Sequence, residues 1–219
     1  MAQALTLPAA ADLTRTGDLW VFRGRSTADR TIQITTNSPV NHVGMALVLE
    51  DLPPLLWHAE LGRGLVDVWS GRRRRGVQLH DLHDAVVTWR VRYGQQPFLR
   101  QLDPEAGDAM ADAALRTVAR LDGTPFPSTA GMAGRWLTGR IPGLRRRLSA
   151  RELETAYCAE VVAITYTDMG LLRPGRPPGW YDPGCFWSGD RLPLTPGHRL
   201  GDEIPVTVPA DARVRNPPG

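Results

Sequence analysis

The sequence predicts an α+β domain. Three observations lead there. Strand-like segments fill the first half of the chain, helical segments follow, and one more strand closes it. Glycine (22) and proline (19) make up about 19% of the 219 residues, against an average of roughly 12%. So many turns exclude a pure helical bundle. Hydrophobic residues at 42% and charged residues at 22% exclude wholesale disorder. The length fits a single domain over residues 16–210, with a flexible arm expected at 1–15 and a flexible tail at 211–219.

The elements follow in order. GDLWVF (Gly17–Phe22) is a turn signal followed by strand formers. TIQITT (Thr31–Thr36) fits a short strand or a short helix. NHVGMALVLE (Asn41–Glu50) and LLWHAE (Leu55–Glu60) read as two strands of a hairpin, with Asp51–Pro54 as the turn between them. VQLHDL and VVTWRVRY (Val86–Tyr93) supply further strands. In the latter, Val87, Trp89, Val91 and Tyr93 alternate as the packed face. Asp103–Leu121 reads as a helix with Asp103 as cap, Pro104 in the first turn and Gly123 past the end. Its shared face is Ala111, Leu115, Val118 and Leu121. Gly131–Leu137 fits a short helix. Ser149 with Glu152 makes a capping-box pattern, and Ala156–Met169 is helical and apolar enough to run through the centre of the fold. RPGRPPGWYDPGCF is a long loop, and Asp202–Ala210 is the closing strand.

All 26 basic residues are arginine, and the 23 acidic ones leave a net charge of +3. Two runs, Arg72–Arg75 and Arg145–Arg147, concentrate positive charge and suit an anionic surface or a solvated loop. Neither interleaves aromatics, so no nucleic-acid partner is expected. No apolar run reaches the ~18 residues of a membrane span. The first residues lack the basic and apolar regions of a signal peptide, so a cytoplasmic location is expected. There is no nucleotide-binding glycine motif. His80 and His83 form an HxxH pair without a third ligand nearby, so no metal and no cofactor is expected.

Two cysteines make no disulfide framework. Cys158 falls near the start of the apolar helix, where unpaired N–H groups favour a thiolate. His42 opens a strand and is a candidate base for it. His58 and Glu60 lie two residues apart on the neighbouring strand, and either suits the group that orients His42. Glu160 is placed beside Cys158, at a pocket or in an ion pair. Cys185 falls in the long loop. There Trp180, Tyr181, Phe186 and Trp187 suit either an apolar substrate wall or a cluster that pins the loop.

GDLWVF, NHVGMAL and YCAEVVA together resemble the motifs of the circularly permuted papain-fold cysteine hydrolases, the amidase-like YiiX and YaeF type within the NlpC-like group. The histidine precedes the cysteine here, as it does in the permuted proteins. The resemblance covers about Thr16 to Gly189. It implies an antiparallel sheet packed against a central helix that carries the cysteine. It also implies Cys158 as nucleophile and His42 as general base, with Tyr157 helping to shape an oxyanion site beside the Cys158 N–H. Where the amidase branch has glutamate this chain has His58, with Glu60 as the substitute, so the branch stays open. The expected function is hydrolysis of an amide or peptide bond in a small peptide or N-acyl amide through a thioester. The alternatives are a lipid-directed thioesterase or acyltransferase and a non-catalytic ligand-binding protein.

Overall fold

The computed structural model describes residues 3–24, 39–60, 62, 64–125, 150–190 and 192–215. Its strands are β1 (Leu5–Thr6), β2 (Leu19–Arg23), β3 (His42–Leu47), β4 (Leu55–Glu60), β5 (Gly76–Asp81), β6 (Gln96–Arg100), β7 (Leu102–Asp103), β8 (Arg199–Leu200) and β9 (Ile204–Thr207). The helices are α1 (Leu7–Asp12), α2 (Leu82–Val87), α3 (Asp108–Leu121) and α4 (Ala150–Asp168). A seven-stranded sheet runs β1-β9-β6-β2-β3-β4-β5. Its neighbours are antiparallel except β1 and β9, which are parallel with Leu5 opposite Val206. The mixed α+β architecture with one large sheet agrees with the sequence reading. None of the helices is long and apolar enough to cross a membrane, among the described residues.

Both faces of the sheet are covered, which is why its strands read as nearly continuous apolar runs. Successive side chains still go to opposite faces. Leu19, Val21, Val43, Met45, Leu47, Leu55, Trp57 and Leu79 pack with α4. Trp20, Phe22, Ala46, Leu56 and Leu99 pack with α1 and α2. Trp57 anchors the first core by donating its Nε1–H to Thr165 Oγ1 at 3.1 Å. The GD turn serves this framework. Gly17 holds φ at +91°, and an added Cβ would meet Leu102 at 3.0 Å. Its carbonyl accepts Tyr166 Oη–H at 2.5 Å. Asp18 accepts the Leu102 and Arg15 N–H groups at 2.8 and 2.9 Å.

Several expectations are corrected. The N-terminal arm is not loose: β1 joins the sheet, and Thr6 caps α1 while Leu7 and Ala10 bury against the second core. Arg215, in the expected flexible tail, is tied down: its N–H donates to Asp84 Oδ1 at 2.6 Å. Val86–Tyr93 is not a strand. Asp81 accepts the Asp84 N–H and starts α2, which continues as a π-type turn over Thr88–Arg92. Val86, Val87 and Trp89 bury, whereas Val91 is 45% exposed. Helical period, set by a local cap, overrode an alternation that β-branched residues suggested. The strand before α3 is β6, which the sequence reading passed over. Asp103 is not the α3 cap, because it belongs to β7 and its carboxylate accepts from Arg199 at 2.7 Å. The helix starts after Gly107, and its buried residues are Ala113, Ala114, Thr117 and Val118. Thr31–Thr36, Gly131–Leu137, Arg145–Arg147 and Ser149 lie outside the described residues.

The Pro178–Asp190 loop is part of the core. Tyr181, Cys185 and Phe186 are buried against α4, with Trp180 and Trp187 packed around them. Arg100 fastens this loop to the sheet. It donates to the carbonyls of Phe186 at 2.6 Å, Gly201 at 2.7 Å and Leu200 at 3.2 Å.

Candidate functional site

Each of β3, β4 and β5 places a histidine on the α2 face of the sheet. His42 starts β3, His58 sits in β4, and His80 lies next to the end of β5. The pairing staggers them diagonally, with His58 opposite Gln78 and His80 opposite Leu56. His42 Nε2 lies 2.9 Å from His58 Nδ1, and His58 Nε2 lies 2.7 Å from His80 Nδ1. His58 therefore spends one nitrogen on each neighbour. That linear order suits proton transfer along the three rings.

The glycine of HVG makes the stagger possible. A Cβ on Gly44 would lie 2.8 Å from Leu56 Cδ1 and 3.2 Å from His58 Cβ. Trp89 closes the cluster from α2's extension. It stacks on His42 with centroids 4.4 Å apart and meets His58 edge-on at 5.1 Å. All three imidazoles are buried. Burial, with the charge of His80 adding to it, pushes the His42 pKa down to about 3. Burial also lowers His58 well below its ordinary value. His80 falls to about 4 by burial, partly opposed by the Asp67 carboxylate. The chain is therefore neutral at pH 7, and each ring carries one N–H.

Neutral rings in a chain have coupled tautomers. If His80 gives its Nδ1–H to His58, then His58 gives its Nδ1–H to His42, and His80 Nε2 is a bare acceptor. The opposite register makes His80 Nε2–H a donor. The Nε2 atom is buried and has no hydrogen-bond partner among the described residues. His80 lines a cavity of about 260 Å³, together with Leu65, Val68, Asp67, Asp81 and Asp84 among others.

The wall opposite is a fixed loop. Asp67 accepts Ser70 N–H at 2.8 Å, Ser70 Oγ–H at 2.7 Å and Leu79 N–H at 3.2 Å. Arg74 bridges it at 2.9 Å to Asp122 at 2.6 Å. Burial raises the Asp67 pKa, but these hydrogen bonds and the Arg74 charge outweigh it and hold the carboxyl below its usual range. Beside the cavity, ligand atoms of Asp81, His83 and Asp84 come within 4.8 Å of one another. Asp81 caps α2 and Asp84 holds the Arg215 N–H, so both carboxylates already have structural partners. His80 and His83 belong to different elements, β5 and α2, and do not share the helix face expected of an HxxH pair.

The sequence-predicted residues divide between the two faces. His42 and His58 are brought together as expected. Glu60, two residues on, accepts the Gly62 N–H at 2.5 Å, so His58 is the group that meets the His42 ring. Cys158 is not brought to His42. It is fully buried in the core that joins α4 to Val43 and Met45, across the sheet from the His42 ring. Nor is it at a helix start. Ala150 begins α4, so the Cys158 N–H lies beyond the unpaired first turn and the expected thiolate and oxyanion stabilisation by helix-terminal N–H groups is absent. Tyr157 and Glu160 are buried at 6% and 5% on the same helix. Trp180, Tyr181, Phe186 and Trp187 pack into the core instead of lining the cavity. His80 and Trp89 were missed as partners of His42. The available signal was one histidine on each of three consecutive strands.

No family model matches the sequence, and no curated protein matches it. Among solved structures, the metalloprotein YiiX from Escherichia coli O157:H7 aligns at a TM-score of 0.48 and 17% identity, over 86% of this chain and 88% of that one. That likeness assigns no chemistry to this chain.

Proposed function

We propose that the chain is an acid–base hydrolase of small esters or amides, with His80 as general base and His58 and His42 as the relay behind it. The observation that supports it is the buried Nε2 of His80, without a hydrogen-bond partner among the described residues, on a residue that lines a cavity and has its other nitrogen bonded into a chain of rings. Water in the cavity attacks the substrate carbonyl and gives a proton to Nε2. The His80 Nδ1 proton passes to His58, and the His58 Nδ1 proton passes to His42. The proton then returns along the chain to the leaving group. Low pKa values keep the unprotonated form populated and make each imidazolium a strong acid for that last transfer, at the cost of a weaker base in the first step.

A second reading keeps the thiol as nucleophile. It draws on the contact between His42 and His58, the imidazole pair that the papain-type resemblance implies. It requires α4 to present Cys158 on the His42 face, which its present core position does not do. Cleavage of p-nitrophenyl acetate separates the two. The first reading expects activity that falls at least tenfold in His80→Gln and survives in Cys158→Ala. Loss in Cys158→Ala with His80→Gln unaffected replaces it with the second. An inactive wild-type protein rejects both on this ester.

A further inference from the structure

We propose that the Val68–Arg73 loop docks the protein on an anionic lipid surface. Of the large hydrophobic side chains that are exposed among the described residues, Trp69 is the most exposed at 55%, and Val68 beside it is 37% exposed. Arg72 and Arg73 follow after Ser70 and Gly71 and are exposed. The structure sorts the arginine run. Arg74 turns inward to Asp67 and Asp122, which leaves Arg72 and Arg73 at the tip. A tryptophan and two exposed arginines on one short loop are the chemistry of a lipid headgroup region: an amphipathic ring for the interface and cations for phosphate.

The tip is also held in place before it binds. Asp67 ties it to Ser70, Leu79 and Arg74, and Gly71 takes φ +63°. Little ordering entropy remains to be lost on docking. Val68 and Gly71 belong to the cavity lining as well, so docking sets that cavity beside the bilayer. Charge complementarity selects an anionic surface over a neutral one. The inference does not rest on the hydrolytic reading, because Asp67 fixes the loop whatever the cavity does.

The test is co-sedimentation with phosphatidylcholine vesicles, with and without phosphatidylserine, at low salt. Binding is expected only with phosphatidylserine, and brominated lipid should quench tryptophan emission. Losing each arginine should weaken partitioning about fivefold, so the double variant Arg72→Gln/Arg73→Gln should lose about 25-fold. Trp69→Ala should weaken binding and remove the brominated-lipid quenching, with an unchanged melting midpoint and unchanged p-nitrophenyl acetate turnover. No binding to phosphatidylserine vesicles overturns the proposal, as does binding that the Trp69 and arginine variants leave unchanged. Tighter binding to a single-stranded oligonucleotide than to the vesicles also overturns it.

Discussion

His58 Nε2 lies 2.7 Å from His80 Nδ1 while the opposite edge of the same ring meets His42 at 2.9 Å. One side chain thus couples the protonation of three strands. Nitrogen-detected NMR at pH 7 should show one protonated and one bare nitrogen in each of these rings. A charged ring at pH 7 contradicts the arrangement.

The same burial predicts acid sensitivity. The folded values of about 3 for His42 and about 4 for His80 lie below the ordinary 6.5. Between those limits the unfolded chain binds more protons than the folded one, so stability falls as pH drops from about 6.5. His80 alone should remove about 3 kcal/mol by pH 4. Urea midpoints measured between pH 7 and 4 should fall steeply, and His80→Gln should flatten that slope.

His58→Ala strands a buried ring nitrogen on each side. It should cost about 3 kcal/mol or more. If urea unfolding shows under 1 kcal/mol, the two contacts are not both made.

Gly44→Ala adds a methyl group against Leu56 and the His58 Cβ. Overpacking of this kind typically costs 1–3 kcal/mol. The signature beyond stability is a shift of the His58 ring resonances, because the added carbon presses at its root.

Both thiols are buried, Cys158 fully and Cys185 to 3% exposure. Ellman's reagent should react slowly with the native protein and titrate two thiols in denaturant. A fast-reacting Cys158 would favour the thiol reading, and loss of that reactivity in His42→Ala would strengthen it.

The strands β2, β3 and β4 were legible because apolar runs between turn residues leave few alternatives. So was the pairing of His42 with His58, since both sit in neighbouring strands. The face was not legible. Period two fixes which residues share a side but leaves open which side the later helix covers, and that choice separated Cys158 from His42. Val86–Tyr93 misled because β-branched composition and a strand-like alternation coincide there, while the deciding signal was one Asp81 cap. The capping-box pattern at Ser149 falls one residue before the start of α4 at Ala150; counting the apolar helix from Ala156 instead is what put Cys158 near a helix terminus when it lies in the interior.

The parallel pairing of Leu5 with Val206 joins residues two hundred positions apart. During synthesis β1 emerges some two hundred residues before β9 and must wait for it before it has a neighbour, so that edge of the sheet completes only once β9 leaves the ribosome. Until then the outer edge of β6 is open to strangers. A nascent chain stalled before Ile204 should recruit chaperones that the finished protein ignores.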